Sequence, residues 1–150
     1  MDDELQTWYL TSGSAPDLWE ALRPHHRPHP DGNDEILWVG RGWKELVQGL
    51  HGALKDSFPD YRFALVKQKW GQLQINASPS VAGIANSSRE EVALLNGLIE
   101  RCVEQSLVTC EACGVSGALR DDRSYEITLC DSCNEQLPDP PDGVFDYASG

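Results

Sequence analysis

The sequence has no apolar run near the roughly 20 residues that a membrane-spanning helix needs. Its first ten residues, MDDELQTWYL, are acidic where a secretory signal would be basic and then apolar. We therefore expect a cytoplasmic protein with no membrane association. Thiols stay reduced in that compartment, so paired cysteines indicate metal binding rather than disulfides.

Common catalytic signatures are missing as well. The chain contains no P-loop, no Rossmann glycine pattern, no G-x-S-x-G, and no H-E-x-x-H or H-x-E string. Residues 114–129 contain no histidine, so the catalytic group of a treble-clef nuclease of the His-Asn-His kind is lacking. We therefore expect that the protein is not an enzyme.

Basic residues are scarce, because 12 Lys and Arg stand against 24 Asp and Glu and give a net charge of -12. Residues 126–150 contain six acidic residues and no basic one. Such a field repels phosphate backbones, which disfavours direct nucleic-acid binding and favours a basic or nucleic-acid-binding protein as partner. A solvated acidic surface with no partner is the plain alternative.

Paired cysteines are the most informative feature that is present. Four of the five form two C-x-x-C pairs, and the four residues are Cys110, Cys113, Cys130 and Cys133. Two intervening residues let the backbone turn so that both sulfurs reach one ion at about 2.3 Å, which is typical of zinc. Gly114 and Gly117 are predicted to supply positive φ angles. Four thiolates close the tetrahedral shell, so we expect one structural Zn²⁺ with no catalytic role.

The residues around these pairs predict a small module. Ala118–Arg120, a turn at Asp121-Asp122, and the inward positions Tyr125, Ile127 and Leu129 suggest a hairpin. Residues 134–137 can start a helix after the last cysteine. The order of knuckle, hairpin and helix favours a treble-clef-like arrangement over a symmetric zinc ribbon, although both use the same four ligands.

The preceding residues predict an α+β body. Apolar residues recur at helical spacing after Trp43, and Trp70-Gly71 is a natural reversal for a β-hairpin over residues 61–77. A capping box at Ser88–Glu91 opens a long helix. Cys102 lies on the apolar stripe of that helix and is predicted to be a core thiol. The fold class is α+β: a helix, a β-hairpin and a long helix packed together, followed by the small four-cysteine zinc module.

The first 33 residues predict a short strand within residues 5–10, a short helix near Pro16, and a Pro/His-rich linker or ordered loop. His25, His26 and His29 are not expected to bind metal, because the prolines impose an extended path without a second ligand cluster. The predicted organisation is an N-terminal segment and linker, the α+β body, the zinc module and an acidic tail. Their boundaries are 1–33, 34–108, 109–137 and 138–150.

Two sets of side chains are candidates for binding. The acidic tail places aromatic residues among aspartates, and a solubilising disordered end is the alternative. Its candidate partner-binding residues are Asp139, Asp142, Phe145, Asp146 and Tyr147. The second set is a possible basic patch, with a solvated strand face as the alternative. Its members are Arg62, Lys67, Lys69, Arg120 and Arg123.

Several motifs together resemble a widespread group of small zinc-binding proteins encoded by phages and prophages, which have no assigned function. They are Gly42-Trp43 at a helix start, VKQKWGQL at 66–73, C-x-x-C-G-x-x-G-x-L-R from Cys110, and T-L-C-x-x-C. The resemblance covers about residues 40–133. The chain departs from it at Trp70, where phenylalanine is expected, and at Cys133, where histidine is common. The resemblance implies a phage or prophage accessory protein in the cytoplasm of a bacterial host, and it supplies no reaction.

The leading hypothesis is an accessory protein that acts by protein–protein interaction and inhibits a host nucleic-acid-binding machine. A polymerase, a nuclease or an immune effector complex has a phosphate-binding groove that an acidic nucleic-acid mimic could occupy. One alternative is a zinc-containing regulator that binds nucleic acid through the basic patch. Another is an immunity protein that neutralises a basic toxin.

Overall fold

A computed structural model of the chain describes residues 9–10, 15–27, 37–123 and 126–137. Within these ranges the chain forms four helices and six strands. The helices are α1 (Pro16–Leu22), α2 (Lys44–Ser57), α3 (Arg89–Ser106) and α4 (Asp131–Gln136). The strands are β1 (Tyr9–Leu10), β2 (Leu37–Gly40), β3 (Arg62–Lys69), β4 (Gln72–Ser78), β5 (Ala118–Arg120) and β6 (Ile127–Leu129). No helix in these ranges is long and apolar enough to span a membrane.

The body is built on a mixed four-stranded sheet with the strand order β1-β2-β3-β4. β1 is antiparallel to β2, β2 is parallel to β3, and β3 is antiparallel to β4. Parallel neighbours need a long crossover connection, and α2 supplies it between β2 and β3. The sheet confirms the predicted β-hairpin and adds a parallel pairing that the sequence pattern did not predict.

The β3–β4 hairpin turns at Trp70-Gly71, as predicted, with Lys69 paired to Gln72. The strand register shifts between Phe63 and Val66. Residues three apart on a regular strand face opposite sides, but a bulge changes that alternation. Both side chains are therefore buried in the core.

The helices and strands of the body share one apolar core, in which α3 packs against both α2 and β4. The capping box of α3 is confirmed, because Ser88 and Glu91 exchange hydrogen bonds between side chain and backbone. Cys102 is buried, and its thiol lies 3.5 Å from the carbonyl of Leu46. The predicted core thiol is confirmed. The largest fully buried side chains of this core are Trp43, Tyr61, Phe63, Leu18, Leu37, Leu54, Leu73 and Leu95.

The N-terminal segment contributes to the same core through Leu10, Leu18 and Leu22. A 3₁₀ turn at Arg23–His25 follows α1, and His26 forms a parallel bridge with Phe63. His25 is buried, stacks on the Tyr61 ring with centroids 4.3 Å apart, and places Nδ1 2.9 Å from the Tyr61 carbonyl. This histidine therefore packs in the core. His29, Tyr125 and the acidic tail at 138–150 lie outside the described residues.

Candidate metal centre

The two C-x-x-C pairs converge at one point. The Sγ atoms of Cys110, Cys113, Cys130 and Cys133 all lie within 4.8 Å of one another. A tetrahedral zinc with about 2.3 Å bonds to sulfur has sulfur–sulfur edges of about 3.8 Å. The Sγ atoms of Cys113 and Cys130 are 3.7 Å apart. The four residues therefore form a ligand set of the right chemistry and size for one metal ion.

The first knuckle is shaped by its backbone. The amide of Cys110 donates to the Val115 carbonyl at 2.7 Å, and the amide of Gly114 donates to the Cys110 carbonyl at 2.9 Å. Gly114 has the predicted positive φ, at 85°. The same prediction for Gly117 is wrong, because Gly117 is not among the residues with positive φ. It is needed for close approach instead, since a Cβ there would lie 3.0 Å from the Cys110 amide nitrogen.

The second knuckle is the start of α4. Cys130 is its N-cap, and the backbone N–H of Cys133 donates to the Cys130 sulfur at 3.4 Å. The helix begins at Asp131, three residues before the predicted start at Asn134. A sulfur atom can cap the exposed amides of a first turn, so the helix starts between the two ligands rather than after them.

The pKa values of Cys113, Cys130 and Cys133 are shifted in different directions. The hydrogen bond from the backbone N–H of Cys133 lowers the pKa of the Cys130 thiol to about 7. Desolvation raises the pKa of both Cys113 and Cys133. Four thiolates this close repel one another, and a divalent cation removes that repulsion while displacing their protons. The site therefore suits a cation that binds sulfur.

The β5–β6 hairpin covers the ligands with its own small apolar cluster. Ile127 and Leu129 are fully buried against Cys110 and Ala112, as their inward assignment predicted. Thr128 is also fully buried, although its position in the alternation predicts exposure. Its neighbours explain this, because Thr128 faces the hairpin turn of the body and donates to the Gly71 carbonyl at 2.7 Å.

Glu111 lies between the first two ligands and is fully buried at the junction of module and body. Its Oε2 accepts the Thr128 amide at 2.6 Å and the Gln68 side-chain amide at 3.3 Å. Burial raises the pKa of Glu111 to about 8. Sequence reasoning missed this residue, since an acidic side chain between two cysteine ligands carries no burial signal of its own.

Residues 40–43 of the body hold the backbone of the first knuckle. Gly42 donates to the Glu111 carbonyl at 2.7 Å, Arg41 to the Ala112 carbonyl at 3.0 Å, and the Trp43 indole to the Thr109 carbonyl at 2.9 Å. A Cβ at Gly42 would lie 2.2 Å from the Cys110 carbonyl oxygen. The Gly42-Trp43 motif is thus part of the support of the metal centre.

The residues of the possible basic patch have separate surroundings. Arg120 donates to the Leu129 carbonyl and pairs with Asp131 at 2.7 Å. Arg123 donates to the Asn134 side chain at 2.9 Å and to backbone carbonyls of α4 and its end. The Arg62 guanidinium donates to two neighbouring backbone carbonyls. The Lys69 ammonium lies 4.6 Å from the Trp70 ring centre. Lys67 is half-buried. Two of the five cations therefore hold α4 against the module hairpin.

Comparison of the chain with protein-family models, with curated proteins and with solved structures found no match. The resemblance to phage and prophage proteins therefore stays a prediction. Among the residues that the structure describes, the four cysteines are the one group of three or more His, Cys, Asp or Glu side chains placed to share a metal ion.

Proposed function

We propose that this chain is a protein-interaction protein without enzymatic activity, in which one structural Zn²⁺ holds a contact surface in place. The exposed tryptophan at the β3–β4 turn carries the proposal. Trp70 is 53% exposed and adopts a φ of 55°. Positive φ is rare and costly for a bulky side chain, and backbone strain of this kind is concentrated at functional positions.

The sequence of the turn supports a selected role for this tryptophan. Both central residues have positive φ, at 55° for Trp70 and 78° for Gly71. Such turns favour Asn-Gly, so asparagine would suit position 70 better than tryptophan. A residue that fits its turn poorly and presents a large aromatic surface has the character of an interface anchor.

The metal module supports the turn from one side. Thr128 of β6 binds the Gly71 carbonyl, and a Cβ at Gly71 would lie 2.4 Å from a methyl group of Leu119 in β5. Leu119 is itself 44% exposed, so a second exposed apolar side chain lies beside the Trp70-Gly71 turn. The position of this surface thus depends on the module, and the module depends on its metal.

The charge of the module supports a basic partner. Residues 109–137 contain six acidic and two basic residues, and a zinc ion with four thiolates adds further negative charge. We propose that an acidic rim around an apolar centre binds a basic protein. Such a partner could be a nucleic-acid-binding machine of a bacterial host, which this chain would inhibit. The phage or prophage origin is implied by the resemblance alone.

We further propose a treble-clef-like module. A knuckle with Gly114, then the β5–β6 hairpin, then a helix that begins at the second cysteine pair, is the order of that arrangement. A zinc ribbon would have a second glycine-containing knuckle where α4 begins.

Replacing Trp70 with asparagine tests the proposed contact. Trp70→Asn relieves the turn, so we expect thermal stability and zinc content equal to or above those of the wild type. In a pull-down from a bacterial host lysate, the zinc-loaded wild type should capture the partner and the variant should not. Val81→Ser is the matched control, because Val81 is 70% exposed on a loop away from the turn.

Three outcomes contradict parts of the proposal. Equal capture by Trp70→Asn would remove the turn as the contact. Loss of capture on deletion of residues 138–150, with Trp70→Asn unaffected, would assign binding to the acidic tail. A gel shift with DNA or RNA that weakens steeply with salt would favour the nucleic-acid-binding regulator over a protein-binding inhibitor.

A further inference from the structure

A groove of about 280 Å³ lies at the far end of the β3–β4 hairpin from Trp70, where β3 begins and β4 ends. Two arginines from different parts of the chain line it together with apolar side chains and one side-chain amide. The principal lining residues are Arg27, Arg62, Phe63, Asn76, Ala77 and Ile84. No acidic residue from the described part of the chain lines it.

The fold places both arginines at this groove. The Arg27 backbone amide donates to the Phe63 carbonyl at 2.7 Å, which joins the N-terminal segment to β3. One terminal nitrogen of Arg62 donates to the Asp60 and Tyr61 carbonyls at 3.1 and 2.9 Å. Since a guanidinium has five N–H donors, Arg62 keeps others for a ligand.

Neither arginine forms an ion pair with a carboxylate among the residues that the structure describes. Ion pairs among those residues include Arg23 with Glu20 and Arg120 with Asp131. In a chain with twice as many acids as bases, two cations at one groove that have no acidic partner among the described residues are unexpected. Arginine forks match the geometry of phosphate and carboxylate oxygens.

We propose that this groove binds a small phosphate monoester with a compact apolar group. Two guanidinium charges complement a phosphate that carries close to two negative charges, while the apolar wall of Phe63, Ala77 and Ile84 contacts the organic part. An extended polyanion meets the field of a chain with net charge -12. A single phosphate responds mainly to charges within the screening length of about 8–10 Å.

Phenyl phosphate is the probe, titrated into the full zinc-loaded chain at low salt and followed by calorimetry or amide NMR shifts. We expect saturable binding, with shifts at residues of the groove and not at the metal module. Arg27→Gln and Arg62→Gln should each weaken binding about tenfold or more, because each removes a charge-assisted contact. Arg101→Gln should have no effect, since Arg101 is exposed on α3 outside the groove.

Two related probes separate the contribution of the phosphate to binding from that of the apolar group. Inorganic phosphate should bind more weakly than phenyl phosphate, and benzyl alcohol should not bind measurably. The proposal is overturned if benzyl alcohol binds as well as phenyl phosphate, or if Arg101→Gln weakens binding as much as the groove variants. Because Arg62 also contacts backbone carbonyls, an unfolded Arg62→Gln leaves Arg27→Gln as the deciding variant; its full retention of binding would also overturn the proposal.

Discussion

The body and the metal module are stabilised in different ways. The body has one apolar core that draws side chains from three helices and four strands. Among its described residues, the module has only Cys110, Ala112, Ile127 and Leu129 in its buried cluster. A segment that buries so little apolar surface needs another source of stability, as small domains usually do. Its four cysteines would supply that source by holding a metal ion.

The junction between the two regions is polar, where the body core is apolar. Backbone carbonyls of the first knuckle receive hydrogen bonds from Arg41, Gly42 and Trp43, and Glu111 connects β6 with Gln68. Hydrogen bonds have directional requirements that apolar contacts lack. The junction therefore orients the module, whereas the core mainly gives the body its stability.

Removing a metal ligand should affect the two regions most unequally. We expect Cys110→Ser to abolish zinc binding and to unfold the module, because metal binding and folding are coupled in such sites. Elemental analysis and amide NMR would show loss of zinc with the resonances of the body retained. Cys102→Ser is the control and should keep its zinc. A zinc-free wild type with a folded module would contradict the metal assignment.

A cavity in the core of the body should destabilise the body and leave zinc binding by the module unchanged. Leu54 is fully buried, and Leu54→Ala should cost about 2–5 kcal/mol of the free energy of unfolding. Zinc content at saturation should remain unchanged, since the ligands lie in the other cluster. Denaturant unfolding with parallel zinc analysis measures both quantities, and loss of zinc from the folded variant would show that the regions are not separable.

Glu111 tests the junction between the regions. Glu111→Ala leaves the buried Thr128 amide without its side-chain acceptor, which should cost about 1–3 kcal/mol. Glu111→Gln keeps an acceptor of similar shape for the Thr128 amide, so its stability should be close to that of the wild type. Thermal unfolding compares the three proteins. Equal losses in both variants would indicate that the carboxylate itself is required.

The smallest expected effect is a pH dependence of the stability of the body. Tyr61 Oη lies 2.6 Å from His51 Nδ1. Burial raises the pKa of Tyr61, so the tyrosine stays protonated and its hydroxyl donates a hydrogen bond to neutral His51. Burial, then His25, then Lys55 lower the pKa of His51 below 6.5. The folded state therefore binds fewer protons than the unfolded state as pH falls through 6.5, and this contribution to stability is present above that pH and is lost below it.

Replacement of His51 with glutamine should make the midpoint of thermal unfolding less sensitive to pH below about 6.5. His25, whose ring centre lies 5.3 Å from that of His51, is retained in the variant. Zinc content should not differ between wild type and variant across this range. An unchanged pH profile would show that other groups dominate the acid response.

Sequence patterns determined the parts of the protein that depend on local spacing. The C-x-x-C pairs specified the ligands, the capping box specified the start of α3, and Trp70-Gly71 specified the hairpin turn. Each of these signals lies within a few residues, where backbone geometry alone relates sequence to structure. The start of α4 was predicted three residues late, because the cap is a cysteine sulfur rather than a common capping residue.

Only the tertiary structure decided how the two regions meet and what their surfaces present. Arg41 and Ala112 are 71 residues apart in sequence, Gln68 and Glu111 are 43 apart, and Arg27 reaches its groove by pairing with β3. No periodicity or short motif encodes such contacts, because they arise from the packing of distant segments. The sequence by itself thus determined which residues can bind a metal ion, and the packing decided that the module contacts the turn at Trp70-Gly71.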